Sequence, residues 1–178
     1  MKRILLIGGL VGALFAGTPA SAVVLLTDGS VTGGGFNRVD GPGPGYSDAT
    51  KRMVTIEATD SDPMGDSGTA NWRIHTPRPS QSSPSNLKAR ITLACVFVSD
   101  DVAYATGSGG GVDYSLRIRD GGEPGKGQDS FGVVEDTGLD ALLCMAESEV
   151  ARVALEVLWA SRTKYTLDGG NFQITSSN

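Results

Sequence analysis

The sequence predicts an all-β fold: an antiparallel, β-sandwich-like domain of about eight strands, with a place for one helix before the last strand. Three observations predict it. Glycine is abundant, 25 of 178 residues, and falls in clusters between short runs rather than at a fixed period, which is the punctuation of strands joined by turns. Between those clusters apolar and polar residues alternate, the period of a half-buried strand. The segment 139–159 alone departs from that period.

Taken in order, strands are expected over 31–37, 52–59, 70–75, 90–97, 102–106, 112–119, 130–134 and 165–175. In the fourth, Ile91, Leu93, Cys95 and Phe97 alternate with Arg90, Thr92, Ala94 and Val96, so Cys95 is expected to point inward with Ile91 and Leu93. In the sixth, Val112, Tyr114, Leu116 and Ile118 share one face, and Asp113, Ser115, Arg117 and Arg119 share the other. The stretch 40–49, with its GPGPG, and the stretch 76–86, with three prolines and four serines, read as loops. Over 139–159 apolar residues fall at Leu139, Leu142, Leu143, Ala146, Val150, Val153, Ala154, Val157 and Leu158. That spacing is helical, and Thr137 with Asp140 resembles a capping pair. The alternation of Val153, Leu155, Val157 and Trp159 fits a strand instead, and both readings stand at this point.

The chain opens with Lys2 and Arg3, an apolar run over 4–16, and Ala20-Ser21-Ala22. This is the layout of a cleaved secretory signal. Residues 1–22 are therefore expected to be removed, leaving 23–178 as a single β-domain, secreted or periplasmic. No later segment approaches the roughly 20 apolar residues of a membrane span. With 20 acidic against 15 basic residues and a net charge of −5, nucleic acid is excluded as a partner on composition, because counterion release needs a basic face. An extracellular protein or a glycan is the expected partner class. Two cysteines, Cys95 and Cys144, in an oxidising compartment make one disulfide the default. The loop it closes corresponds to about 4 kcal/mol of chain entropy. Two buried thiols are the other reading.

The stretch most suggestive of chemistry is GVDYSLRIRDGGEPGKGQDSFGVVED, residues 111–136. As a phosphate loop it fails, because Asp120 stands where the first glycine belongs, Gly127 where the hydroxyl belongs, and a strand follows where a helix should. Calcium is the better candidate cofactor, since hard cations want several oxygens and Asp120, Glu123 and Asp129 converge if the loop folds back. A second acidic run, from Asp60 through Asp62 and Met64 to Gly65, matches the first, third and sixth positions of a calcium loop. It lacks charge at the fifth position, Met64, and at the twelfth, Asn71. A serine–histidine–carboxylate site would have to use His75, the only histidine, which sits at a strand end. Zinc has too few ligands in any recognisable spacing. Trp72 and Trp159 each lie in apolar runs and read as core.

Read together, SVTGGG (30–35), ITLACVFVSDDVAYATG (91–107), YSLRIRDGGEPGKGQDSF (114–131) and LDGGNFQIT (167–175) resemble the post-COAP type of small secreted bacterial β-domain. In that family a VTGGG-like start, a V-T-C-like strand, a D-N-G-E-P-G turn followed by D-x-F, and a GGNIQIH-like terminal strand recur in this order. The resemblance implies a compact β-domain found alone or at the ends of larger exported proteins, with no catalytic activity and no site residues to transfer. Gly121 stands where the family has asparagine, Ser99-Asp100-Asp101 replaces a Gly-Asn-like turn, Thr175 replaces the final histidine, and 139–159 lies outside the pattern. The function expected is non-catalytic: binding or surface association outside the cytoplasm. The alternatives are a carbohydrate-binding module, using exposed aromatics among Tyr46, Trp72, Tyr104 and Trp159, and a carboxylate-dependent hydrolase.

Overall fold

The computed structural model describes residues 28–39, 50–61, 66–75, 86–135, 138–146 and 148–177. The expected signal segment 1–22, the loop 40–49 with Tyr46, nearly all of the loop 76–86, Thr137, and Asp62, Met64 and Gly65 of the second acidic run lie outside them. Nine strands form: β1 (Asp28–Val39), β2 (Thr50–Asp60), β3 (Ser67–His75), β4 (Asn86–Ser99), β5 (Val102–Gly109), β6 (Val112–Arg119), β7 (Ser130–Glu135), β8 (Tyr165–Thr166) and β9 (Gly169–Ser177). Two helices, α1 (Leu139–Cys144) and α2 (Glu149–Ala160), lie between β7 and β8. The segment 139–159 is thus helical, as its spacing suggested, but broken into two pieces.

All nine strands belong to one antiparallel sheet, in the order β8-β7-β6-β5-β4-β3-β2-β1-β9, curled into a half-barrel. The all-β class holds, while the two-sheet sandwich is replaced by a single sheet. The reason lies in the last predicted strand, 165–175. Its first residues pair with β7, through Ser130↔Thr166 and Phe131↔Tyr165. Its later residues pair with β1, through Phe36↔Gly169 to Asp28↔Ser177. Only Leu167 and Asp168 separate the two edge strands, so the two ends of the sheet must meet. Curling closes one face on itself, and a second sheet is not needed to cover it.

The enclosed face carries the main core, including Val31, Val54, Ile56, Trp72, Ile91, Leu116, Ile118, Phe131, Leu167 and Phe172. Phe131 is its hub: its ring centroid lies 5.9 Å from that of Trp72, 5.4 Å from Tyr165 and 6.5 Å from Phe172, so one side chain ties together β3, β7, β8 and β9. Edge-to-face contacts of this kind add about 1 kcal/mol beyond burial.

A second, smaller core sits on the outer face, beneath the helices. It joins Cys95, Phe97, Val102 and Tyr104 of the sheet to Cys144, Leu155 and Trp159. Ser148 caps α2, its Oγ accepting from the Ala151 N–H at 3.1 Å, and the four-residue spacing of Ala151, Leu155 and Trp159 aligns three buried side chains on one stripe. Gly132 makes room on β7, since a Cβ there would meet Trp159 Cζ3 at 2.5 Å.

Cys95 is buried, but not where simple alternation put it. The β4–β5 register shifts between Leu93 and Cys95, and such a bulge inverts the phase of every side chain after it. Ile91 and Leu93 therefore share the enclosed core with Val96 and Val98, whereas Cys95 and Phe97 face the helices. That inversion sets Cys95 against Cys144, with Sγ atoms 2.07 Å apart in a disulfide.

Candidate functional site: two aspartate locks and an open cationic face

The β6–β7 turn carries Asp120, Glu123 and Asp129, and each carboxylate is met by N–H donors. Asp129, fully buried, accepts from the Gly121 N–H at 2.9 Å on Oδ1 and from the Phe172 N–H at 2.7 Å on Oδ2. Asp120 accepts from the Gly122 N–H at 2.8 Å and from the Ile174 N–H at 3.2 Å. Glu123 accepts from Asn171 Nδ2 at 2.5 Å, and Asn171 Oδ1 accepts from the Gly125 N–H at 3.0 Å. Phe172 and Ile174 are on β9, whose far side has no neighbouring strand. The two aspartates stand in for the missing carbonyls and lock the turn across the seam of the barrel.

The same device recurs on β4. Past the last β3–β4 pair, Gly68↔Leu93, the Val96 N–H donates to Asp66 Oδ2 at 2.8 Å and the Val98 N–H to Asp60 Oδ2 at 2.9 Å. Asp60, the first residue of the second acidic run, is thus part of an edge lock. Among the described residues no group of three or more His, Cys, Asp and Glu side chains is arranged to hold a metal ion.

Beside the helices, cations meet carboxylates. Arg162 Nη1 and Nη2 reach Asp140 Oδ1 and Oδ2 at 2.6 and 2.9 Å, with Asp140 only 1% exposed. Arg119 pairs with Asp101 at 2.9 Å, and Arg117 Nη2 donates to Glu156 Oε1 at 3.0 Å. The Tyr104 hydroxyl donates to the same Glu156 oxygen. Burial pushes the Tyr104 hydroxyl up, and its hydrogen bond to Glu156 adds to the shift. Burial works to raise Glu156 too, but the bonds from Tyr104 and Arg117 outweigh it and hold the carboxyl below its ordinary range. Asp100, Asp101, Tyr104, Arg152 and Glu156 line a shallow concavity. An ionised Glu156 is the reverse of the raised carboxyl that a general acid needs.

The outer face of β1–β4 differs in kind. On β2 the buried Val54, Ile56 and Ala58 alternate with the exposed Thr55, Glu57 and Thr59, and the register carries that phase across the strands. One outward row reads Phe36, Met53, Arg73, Lys88, and the next reads Arg38, Lys51, His75. A third reads Gly34, Thr55, Asn71, Arg90, and a fourth Thr32, Glu57, Thr69, Thr92. Five cations, Arg38, Lys51, Arg73, Lys88 and Arg90, gather at one end of this face, and none of them forms an ion pair among the described residues. Arg38 and Lys51 instead lie over the Phe36 ring, at 5.2 and 4.2 Å from its centroid. Lys126 and Asp168 join Phe36 and Arg38 around a shallow hollow at the margin.

Trp72, Tyr104 and Trp159 are buried, at 5, 2 and 1% exposure, so none presents a ring to solvent; Tyr46 lies outside the described residues. His75 is exposed at the end of β3. No sequence motif flagged the cationic face, because its residues come from four strands. The signal that finds it is the sign of charge at the outward phase of each strand. No family model, curated protein or solved structure matches the chain.

Proposed function

We propose that this chain is a non-catalytic β-domain that works outside the cytoplasm by binding an anionic ligand on the open outer face of β1–β4. The observation that carries the reading is the Arg73↔Lys88 pair. These residues stand directly opposite each other on neighbouring strands, where like charges destabilise a sheet, and neither is neutralised by a carboxylate among the described residues. A local rule broken without structural compensation is the mark of a functional position. The net charge of −5 sharpens the argument, since a chain rich in carboxylates places on this face, among the described residues, only Glu57 in the fourth row and Asp168 at the margin. The leader-like start of the chain and the motif order resembling the post-COAP type support the extracellular part of the reading.

The test is chromatographic. With a sequence pI near 4.8, the protein should pass through a sulfonate cation exchanger at pH 7 unless a local cationic surface holds it. Retention at low salt, lost on Arg73→Gln with Lys88→Gln, is the expected result. Flow-through of the unaltered protein rejects the binding face. Hydrolysis of a polysaccharide or peptide panel, abolished by a single carboxylate substitution, rejects the non-catalytic part.

A further inference from the structure

We infer that the ligand of this face is a linear acidic polysaccharide, a polymer carrying a carboxylate or sulfate on successive sugars; the inference rests on the open face of β1–β4 being the binding surface.

The face is flat and spans several strands. Neighbouring strands in a sheet lie about 4.8 Å apart, so Arg73 and Lys88, and across the next row Arg38 and Lys51, offer positive charge in short regular steps. Such an array matches a polymer with repeating charge better than one compact anion, which asks for a concave site with converging donors. The cations also have a particular company. Arg90 shares its row with Asn71 and Thr55, and the next row holds Thr32, Thr69 and Thr92 around one carboxylate, Glu57, which bounds the cationic area on that side. Asn71 Nδ2 donates to Thr55 Oγ1 at 3.3 Å, which orients the amide between β2 and β3, the two middle strands of the face. Hydroxyls and an amide beside guanidinium and ammonium groups suit a ligand that is itself rich in hydroxyls as well as charged.

Other polyanions fit less well. Single-stranded nucleic acid is held by stacking on aromatic rings, and the one aromatic among the described residues of this face, Phe36, is half-buried with two cations drawn over it. Duplex DNA is read by an element that enters a groove, which a flat sheet does not provide. An acidic protein would need a desolvated aromatic or aliphatic anchor at the centre of the contact, and the one apolar side chain of the outward rows beside Arg73, Met53, is set among the polar Thr55, Asn71 and Arg73.

Titration of the purified protein with polygalacturonate, dextran, polyglutamate, duplex DNA and phosphatidylglycerol vesicles tests the inference. Polygalacturonate should bind, and weaken roughly a hundredfold between about 50 and 200 mM salt as several contacts release counterions. Dextran should not bind, and polyglutamate should bind at least about tenfold more weakly. Thr55→Ala with Asn71→Ala should weaken polygalacturonate about tenfold and leave sulfonate retention unchanged. Equal or tighter binding of polyglutamate, DNA or vesicles overturns the glycan assignment, as does indifference of polygalacturonate to the Thr55 and Asn71 changes. If retention on the exchanger persists while every glycan fails, the ligand class falls and the binding face stands. If retention is absent, both fall. Thermal melting of each variant confirms that it is folded, and these outward positions leave the enclosed core untouched.

Discussion

Arg162 and Arg73 lie on the same outer side of the sheet, one beside the helices and one on the open strands. Arg162 grips the buried Asp140 with both guanidinium nitrogens and lies over the Trp159 ring, 5.0 Å from its centroid. Arg73 faces Lys88. Beside the helices Arg162 ties the end of α2 to α1, and Arg117 ties α2 to β6 through Glu156. On the open strands the cations complete nothing within the described chain. The contrast separates charge that holds the fold from charge that forms no ion pair among the described residues, and it can be measured as stability on one half against binding on the other.

The largest effect belongs to the covered half. Replacing Cys95 and Cys144 by serine frees a loop with a sequence separation of 49, which corresponds to about 4 kcal/mol, and urea unfolding under non-reducing conditions should show it. Arg162→Ala comes next. It strands the buried Asp140 carboxylate, and breaking one side of such a pair costs about 3–4 kcal/mol, read as a lowered urea midpoint. A midpoint unchanged by this substitution would erase the distinction between the two arginines.

The barrel seam gives an intermediate effect. Asp129→Ala leaves the Phe172 and Gly121 N–H groups without acceptors, at about 1–3 kcal/mol for each that stays buried, so a loss near 3 kcal/mol is expected. Because the oxygens of Asp120, Glu123 and Asp129 already meet N–H donors, excess calcium or a chelator should leave the melting temperature unchanged. A rise with calcium would restore these residues as a cation site.

The smallest stability effect falls on the open half, with the sign reversed. Arg73→Thr relieves a like-charge cross-strand pair and introduces a good strand former, so stability should rise by a few tenths of a kcal/mol. The same variant should lose retention on the sulfonate exchanger. A destabilisation of 1 kcal/mol or more, on the order of the cost of a lost native contact, would mean that Arg73 belongs to the fold after all.

Much of this architecture was legible in the sequence. Each of the eight expected strand segments overlaps an observed strand, the last one two, and the alternation in 112–119 put Tyr114, Leu116 and Ile118 together on the core face. The β6–β7 turn falls in the gap left between the strands expected over 112–119 and 130–134, and the helical spacing of 139–159 was visible. The phase of Cys95 was not, because one inserted residue near Ala94 leaves no mark on a local pattern yet flips all that follows. The split of 165–175 left only a short mark, Asp168-Gly169-Gly170 and a change of apolar phase from Tyr165 and Leu167 to Phe172 and Ile174, and that it divides the two edges of the sheet is decided by the partner strands.

By itself the sequence determined what depends on neighbours a few positions away: strand or helix, turn or run, and the inward or outward phase within an unbroken strand. The tertiary structure decided what depends on partners far along the chain. Asp129 serves a β9 amide 43 residues later and Asp120 one 54 residues later. The five open cations become one face only once β1 to β4 lie side by side. Local periodicity is a property of the backbone repeat, whereas seams, locks and charged faces are set by strand order, which no short window of residues contains.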